Sequence, residues 1–190
     1  MYLSRRNKTK RIMLSEKELI AACLRGEPSA QKRLYEQHSR MLYGVCLRYA
    51  RDNSEAQDML QEGFIRIFKY LKNFQNKGSF EGWMKKITVN AALRLIDSAS
   101  HRNETSPEIF PEHSEDAGVI PQLCAEEMLG YLRRLPQGYR IVFNLFALED
   151  YSHAEIAKEL GITESTSRSQ LTKARQMLRQ FITVEDSILA

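Results

Sequence analysis

Residues 152–180 read SHAEIAKELGITESTSRSQLTKARQMLRQ, and this stretch decides the fold of the C-terminal part of the chain. Ser152 and Glu155 stand three residues apart at the start of an apolar periodic segment, which is the pattern of a helix capping box. Gly161 supplies the left-handed residue that commonly ends a helix, and Thr163 is a typical cap for the next one. The stretch therefore predicts a short helix, a tight turn and a longer basic helix.

The apolar residues of both helices recur at helical spacing, so they are expected to face one core. They are Ala154, Ile156, Ala157 and Leu160 in the first helix and Leu171, Ala174, Leu178 and Phe181 in the second, with Ile162 in the turn. Two helices joined in this way form a helix-turn-helix, whose second helix lies in the major groove of duplex DNA. The alternative is an amphipathic helix with a solvated basic face, but it does not explain why the capping box and the Gly-Ile turn occur together.

The outer face of the second helix carries side chains that form hydrogen bonds. They are Ser165, Arg168, Ser169, Gln170, Thr172 and Lys173. Arg168 can donate to both acceptors of a guanine edge, and Gln170 can bridge both groups of an adenine edge. Lys173, Arg175 and Arg179 are better suited to phosphates, which supply affinity without sequence information.

The rest of the chain is also helical in pattern, and no strand-like alternation competes with it. Helices are predicted over residues 15–26, 28–49, 53–71, 79–98, 126–135 and 139–148. Asn53 or Ser54 is expected to cap the third of them. Residues 99–124 contain three prolines and no sustained period, and residues 101–127 carry one basic against seven acidic side chains. The sequence therefore predicts an all-α fold of two small helical domains, residues 15–98 and 125–182, joined by a flexible acidic linker.

Composition excludes several functional classes. No apolar run approaches the ~18 residues that span a bilayer, and the basic N-terminus leads directly into a charged helix. Cys23, Cys46 and Cys124 form no CxxC pair, and the four histidines have no ligand spacing, so no metal, cofactor or disulfide framework is expected. The sequence contains no paired carboxylates and no phosphate-cradling glycine motif, so no motif in it indicates an enzyme. A cytoplasmic protein without membrane insertion is predicted.

Residues 73–94, NFQNKGSFEGWMKKITVNAALR, place large rings in or beside a polar loop. Phe80 and Trp83 stand three apart with Ile87 four beyond, which is core spacing, so Trp83 is expected to be mainly structural. For Phe74, on the loop itself, packing beneath the loop and direct contact with a nucleic-acid base both remain open.

Three segments, in this order, resemble bacterial RNA polymerase sigma factors. NSEAQDMLQEGFIRIFKYL (residues 53–71) resembles their second conserved region, and FEGWMKKITVNAALRLID (80–97) resembles the promoter-melting segment that follows it. LPQGYRIVFNLFALEDYSHAEIAKELGITESTSRSQLTKARQMLR (135–179) is similar to the fourth region. Only a short linker separates them, which is typical of the extracytoplasmic-function (ECF) subgroup. The resemblance covers roughly residues 15–98 and 126–182.

The resemblance implies roles for two sets of residues in the N-terminal domain. Asp58, Gln61 and Glu62 match the element that docks on the clamp coiled-coil of core RNA polymerase. They share one polar face, and without the resemblance a solvated face would explain them equally well. The set that would hold the unpaired strand of the minus-ten element comprises Asn73, Phe74, Gln75, Asn76, Lys77, Lys86, Asn90 and Arg94. Aromatic stacking and cations are the usual means of holding single-stranded DNA.

The resemblance thus implies an alternative sigma factor that reads the minus-thirty-five duplex and melts the minus-ten element. Its expected partners are core RNA polymerase, through clamp coiled-coil and flap, and promoter DNA, with an anti-sigma factor as a further expectation. The acidic linker either mimics nucleic acid on the polymerase or is a plain tether. The main rival is a stand-alone helix-turn-helix regulator that binds duplex operators.

The recognition helix departs from the family pattern at three positions. Ser167 stands where a β-branched apolar residue is usual, and Gln170 and Thr172 stand where arginine or an aromatic is frequent. A change in the base preference, or slightly weaker packing at Ser167, is expected.

Overall fold

The structure, a computed structural model, describes residues 14–101 and 121–189 and contains eight α-helices and no strand within those ranges. The N-terminal domain contains α1 (Glu16–Leu24), α2 (Pro28–Tyr49), α3 (Asn53–Tyr70), a 3-10 turn (Leu71–Asn73) and α4 (Phe80–His101). The C-terminal domain contains α5 (Pro121–Arg134), α6 (Gln137–Ala147), α7 (His153–Leu160) and α8 (Glu164–Leu189). The all-α prediction is confirmed.

Helices α2, α3 and α4 pack around a core of fully buried side chains. Leu34 and Leu42 of α2, Ile67 of α3 and Met84 of α4 are all inaccessible to solvent. Helices α3 and α4 approach each other closely at Gly63, where an added Cβ would lie 3.1 Å from Thr88 Oγ1. Gly63 therefore lets the two helices come together, and they position the loop between them.

Three of the predicted helix starts differ from those observed, and one of them is that of α6, which begins at Gln137 instead of residue 139. Asp52, not Asn53 or Ser54, is the N-cap of α3, because its Oδ1 accepts the backbone N–H of Glu55 at 2.8 Å. Helix α5 begins at Pro121, five residues before the predicted start at residue 126, with the proline in the first turn where its missing N–H costs nothing.

Both ends of the predicted linker are helical, since α4 continues to His101 and α5 begins at Pro121. The remaining linker prediction, over residues 102–120, lies outside the described residues, as does the basic segment before residue 14. Within the described ranges, no helix is both long enough and apolar enough to cross a membrane.

Candidate nucleic-acid and polymerase interfaces

The helix-turn-helix has the predicted caps. The Ser152 N–H donates to Glu155 Oε2 at 2.9 Å and the Glu155 N–H donates to Ser152 Oγ at 3.2 Å, which completes the capping box of α7. Gly161 ends α7 with φ 65°. The Thr163 hydroxyl accepts the N–H of Thr166 at 3.0 Å and caps α8. These caps fix where the turn begins and ends, and so fix the direction of α8.

The expected core face of α7 is only partly correct. Ile156 is fully buried, and Ala157 and Leu160 are partly buried, but Ala154 is exposed. Helix α7 has only eight residues, and Ala154 lies in its first turn on the side that faces solvent. On α8, Leu171, Ala174 and Leu178 are buried as predicted.

The outer face of α8 is exposed at six of the seven positions predicted to contact duplex DNA. The exposed residues are Ser165, Arg168, Ser169, Thr172, Lys173 and Arg175. Gln170 is the exception, because it is partly buried. Its amide packs against Gly138 of α6: a Cβ built on Gly138 would lie 3.6 Å from Gln170 Nε2. Gln170 therefore lies only partly on the exposed outer face.

Hydrogen bonds within α8 orient the exposed face. Ser169 Oγ donates to the Thr166 carbonyl and Thr172 Oγ1 donates to the Arg168 carbonyl, both at 3.0 Å. With their hydrogens committed to the backbone, these hydroxyls point lone pairs outward as acceptors. Arg168 Nη2 lies 2.6 Å from Glu164 Oε2, but both side chains are half exposed, so the pair contributes little and can exchange for a base edge.

Ser167, one of the departures from the family pattern, is fully buried at the contact between α7 and α8. Its Oγ lies 2.9 Å from Nδ1 of His153, whose ring stacks on Phe146 with centroids 4.6 Å apart. Partial burial and the positive charge of Arg168 lower the pKa of His153. The neutral His153 ring therefore joins α7 and α8 through one hydrogen bond to Ser167. From the sequence, slightly weaker packing had been expected at Ser167.

Ser167→Ala is expected to destabilise the chain by about 1 kcal/mol, because His153 Nδ1 loses its partner at a partly buried site. Thermal unfolding followed by circular dichroism measures this. Ser169→Ala on the exposed face of the same helix is the matched control. Equal melting temperatures for the two variants would contradict a joining role for Ser167.

The loop before α4 lies over a cluster of three rings. The Phe74 ring centroid is 5.0 Å from that of Phe80 and 5.4 Å from that of Trp83, and the Phe80 and Trp83 rings stack at 5.7 Å. Phe80 is buried, while Phe74 and Trp83 are partly buried. Of the two arrangements left open for Phe74, the structure has packing beneath the loop.

Above this cluster, the polar residues predicted to hold the minus-ten strand are mostly exposed. Asn73, Gln75, Asn76 and Lys77 of the loop are exposed, and so are Lys86 and Arg94 on α4. Asn76 has φ 54° and Gly78 has φ 87°, so the loop reverses direction through two left-handed residues. Asn90, between the two cations of α4, is only partly exposed, and its Oδ1 is buried without a hydrogen-bond partner among the described residues.

The residues predicted to dock on polymerase lie together on α3. Asp58 and Gln61 are exposed, and Glu62 accepts from Arg66 Nε at 2.6 Å. Next to Gln61, an open groove of about 680 Å³ runs between α2 and α3. Its apolar lining includes Tyr35, Tyr43, Phe64, Ile65 and Phe68. This groove was not predicted, although Tyr35 and Ile65 are apolar residues at positions that the stripes of α2 and α3 leave outside the core.

Two family models match the chain in the order of the two domains. The model of Sigma-70 region 2 matches residues 34–102, and the model of Sigma-70, region 4 matches residues 125–178. The chain belongs to the sigma-70 family, in its ECF group.

Named relatives agree with this membership. This sigma factor is 31% identical over 160 residues to the ECF RNA polymerase sigma factor SigE of Mycolicibacterium smegmatis, a match that covers 81% of this chain and 62% of that protein. It is 27% identical over 169 residues to the ECF RNA polymerase sigma factor SigM of Mycobacterium tuberculosis, covering 88% of this chain and 85% of that protein.

A solved structure shares the fold of this sigma factor. It is the sigma factor RpoE in complex with the anti-sigma factor NepR from Bartonella quintana, with a TM-score of 0.56 and 16% identity. The match covers 80% of this chain and 96% of that chain.

The two domains of the sigma factor share one buried apolar cluster, to which Ile141, Val142 and Leu145 of α6 belong. Beside it lies a set of polar contacts between the end of α2 and the face of α6, here called the domain junction. Arg140 Nη2 donates to the Tyr49 carbonyl at 3.1 Å, and Asn144 Nδ2 donates to the Arg48 carbonyl at 2.7 Å. These carbonyls belong to the last turn of α2, where backbone carbonyls have no N–H donor within their own helix. Helix α6 therefore caps α2 from the other domain.

An ion pair extends the domain junction into the turn after α6. Arg48 Nη2 lies 2.7 Å from Glu149 Oε1, and the Glu149 side chain is only 8% exposed. Burial raises the pKa of Glu149, and the positive charges of Arg48 and Lys85 oppose that rise. On α4, Lys86 Nζ lies 5.7 Å from the ring centroid of Tyr151.

Sequence reasoning missed the domain junction entirely. A signal was present, because Arg140 and Asn144 stand four apart beside the apolar residues Ile141 and Leu145 of one helix. Both polar residues are buried, Arg140 at 4% and Asn144 at 0% exposure. A polar pair on the apolar side of a helix requires hydrogen-bond partners from elsewhere in the fold.

Proposed function

We propose that this sigma factor binds core RNA polymerase and directs transcription from specific promoters. The N-terminal domain, residues 15–98, docks on polymerase and holds the minus-ten strand, and the C-terminal domain, residues 125–182, reads the minus-thirty-five duplex. The observation that carries this proposal is one chain with two exposed polar surfaces of different kinds: the second helix of a helix-turn-helix, and a polar loop over a cluster of rings. The protein itself catalyses no covalent change, and it acts in the cytoplasm.

At the minus-thirty-five element, the exposed N-terminal half of α8 enters the major groove. Arg168 contacts guanine after exchanging its pair with Glu164, and the outward lone pairs of Ser169 and Thr172 accept from base amino groups. Ser165 lies at the same end of the helix, and Lys173 and Arg175 bind phosphates. Gln170 contributes mainly by packing against α6, with a smaller share in base contact.

At the minus-ten element, the loop accepts an extruded base and α4 follows the strand. Asn73, Gln75, Asn76 and Lys77 offer donors and acceptors to the edge of an unpaired base, and the Phe74 ring supports the loop from below. Lys86, Asn90 and Arg94 recur every four residues along α4, so they line one face toward the phosphates.

Partner proteins are proposed on the same basis. Asp58, Gln61 and Glu62 of α3 dock on the clamp coiled-coil, and the C-terminal domain contacts the flap. An anti-sigma factor is a further proposed partner, because a structure of similar fold was solved with one. The acidic linker serves either as a nucleic-acid mimic or as a tether.

Run-off transcription with purified bacterial core polymerase and a promoter library tests the proposed function. The expected result is initiation at a defined subset of promoters only when this protein is added. No initiation, together with duplex binding that is the same with and without polymerase, would instead identify a stand-alone regulator.

Arg168→Ala is expected to weaken specific duplex binding by ~1–3 kcal/mol and to relax base preference at one position, because the bidentate contact to guanine is lost. Lys173→Ala is the control, since loss of a phosphate contact weakens binding uniformly across sequences and reduces the salt dependence. Mobility shifts on a library of duplexes at two salt concentrations measure both. Loss of polymerase association in Arg168→Ala would contradict the division of labour between the domains.

A further inference from the structure

Three arginines meet at the turn that joins α2 to α3, residues 49–53. Arg140 of α6 donates from Nη2 to the Tyr49 carbonyl at 3.1 Å, and Arg133 of α5 donates from Nη2 to Asn53 Oδ1 at 3.2 Å. Both arginines therefore reach the same turn from the other domain. Arg51 belongs to the turn itself, and the three side chains are here called the arginine cluster.

Two donors of the arginine cluster have no acceptor. The Nε atoms of Arg133 and Arg140 are buried without a hydrogen-bond partner among the described residues. Arg140 as a whole is only 4% exposed. A buried N–H without a partner costs free energy, and folded proteins seldom leave one unpaired. An acceptor from outside the described residues is therefore expected beside these two atoms.

The arginine cluster also carries more positive charge than the acids around it balance. Burial lowers the pKa of Arg140; Glu55 opposes this fall, and the positive charges of Arg133 and Arg51 add to it. Glu55 already accepts the N–H and Nε of Arg51, at 2.6 and 3.3 Å. Asp52, the other acid of the turn, is exposed and caps α3. Three guanidinium groups thus share two carboxylates, and both carboxylates already accept backbone N–H groups.

We propose that the arginine cluster is a binding site for a phosphate-class oxyanion. Such an ion brings several acceptor oxygens together with negative charge, so it satisfies the Nε donors and balances the surplus charge at the same time. A water molecule would supply an acceptor but no charge. The site is reachable from solvent, because the Arg51 side chain is 48% exposed and Arg133 is partly exposed.

The bound oxyanion bridges the two domains. Arg51 belongs to the N-terminal domain, whereas Arg133 and Arg140 belong to the C-terminal domain. A ligand that binds the folded arrangement alone stabilises it in proportion to the logarithm of its concentration once the site is saturated. None of the three arginines is among the residues proposed to contact DNA or polymerase, so this site is separate from the proposed function.

Equilibrium dialysis of the full-length protein against radiolabelled inorganic phosphate tests the site. Ionic strength is held constant with sodium chloride. Phosphate is expected to bind saturably, and Arg133→Gln should weaken that binding by about tenfold or more, because a charge-assisted donor is lost. Arg25→Gln is the matched control: it removes the same charge from a side chain that is 63% exposed in the N-terminal domain, and it should change the affinity by less than about twofold.

Two further variants separate geometry from charge and guard against misfolding. Arg133→Lys keeps the positive charge but loses the Nε donor, so its phosphate affinity should lie between those of the wild type and Arg133→Gln. Arg51→Gln removes a more exposed member of the arginine cluster and should also weaken binding. Arg140 is left intact, because its bond to the Tyr49 carbonyl is part of the domain junction. Helicity and melting temperature by circular dichroism confirm that each variant is folded.

An arm with adenosine triphosphate distinguishes the two sources of the oxyanion. Tighter binding of the triphosphate than of inorganic phosphate, lost in Arg133→Gln, identifies the phosphate of a nucleotide as the ligand. Equal or weaker binding of the triphosphate identifies free phosphate. The absence of saturable phosphate binding overturns the site, and so does unchanged phosphate binding in folded Arg133→Gln and Arg51→Gln; water would then be the partner of the two Nε donors.

Discussion

Phe80→Ala is expected to lower the free energy of unfolding of the N-terminal domain by about 3–5 kcal/mol, because it removes a buried ring and leaves a cavity. Phe80 is 2% exposed and contacts three other rings, those of His38, Phe74 and Trp83. Urea unfolding measures the loss, and the fluorescence of Trp83, the only tryptophan, reports on this domain directly.

Ile65→Ala is the control for Phe80→Ala. Ile65 is 53% exposed on α3, so its truncation should cost well under ~1 kcal/mol. Phe74→Ala should fall between the two, since that ring is partly buried. If Phe80→Ala cost no more than Ile65→Ala, the ring cluster would not be what supports the loop.

The predictions that succeeded were local ones. The capping box of α7 and the left-handed Gly161 were predicted because each depends on residues a few positions apart, so the sequence alone contains the interaction. The buried stripe of α8 followed in the same way from spacing, because a helical period places Leu171, Ala174 and Leu178 on one side.

Among the predictions that failed or held only in part, two depended on distant residues. Asp52, Asn53 and Ser54 are all good caps, and short-range preference does not rank them. In the structure Asn53 Oδ1 instead accepts from Arg133 Nη2 at 3.2 Å, across 80 residues of sequence. The position of Gln170 against Gly138 is likewise set by the packing of α8 on α6.

The domain junction shows the same limit at a larger scale. The bonds from Arg140 and Asn144 to the end of α2 join residues 91 and 96 positions apart. Periodicity identifies a helix face as polar or apolar, but it does not identify the carbonyl that a buried arginine will reach. The candidate DNA contacts could therefore be named from sequence, whereas the element lying beside them could not.

Asp58→Arg is expected to abolish run-off transcription while leaving binding of single-stranded DNA intact. The exposed carboxylate shares a face of α3 with Gln61 and Glu62, next to the groove between α2 and α3. If that face pairs with cations on polymerase, a reversed charge replaces attraction with repulsion, and the loss of affinity should exceed ~2 kcal/mol, or about thirtyfold. Fluorescence anisotropy with labelled core polymerase measures the affinity.

Glu16→Arg is the matched control for Asp58→Arg, because it makes the same charge change at an exposed position in the first turn of α1. It should change polymerase affinity less than about threefold, since charges outside an interface act mainly through the overall field. Raising the salt concentration should weaken the wild-type complex more than the Asp58→Arg complex, because a charge pair contributes only to the former. If the Asp58→Arg and Glu16→Arg variants bound polymerase with equal affinity, the polymerase-docking surface would not lie on this face of α3. The apolar groove beside it would then be the remaining candidate contact.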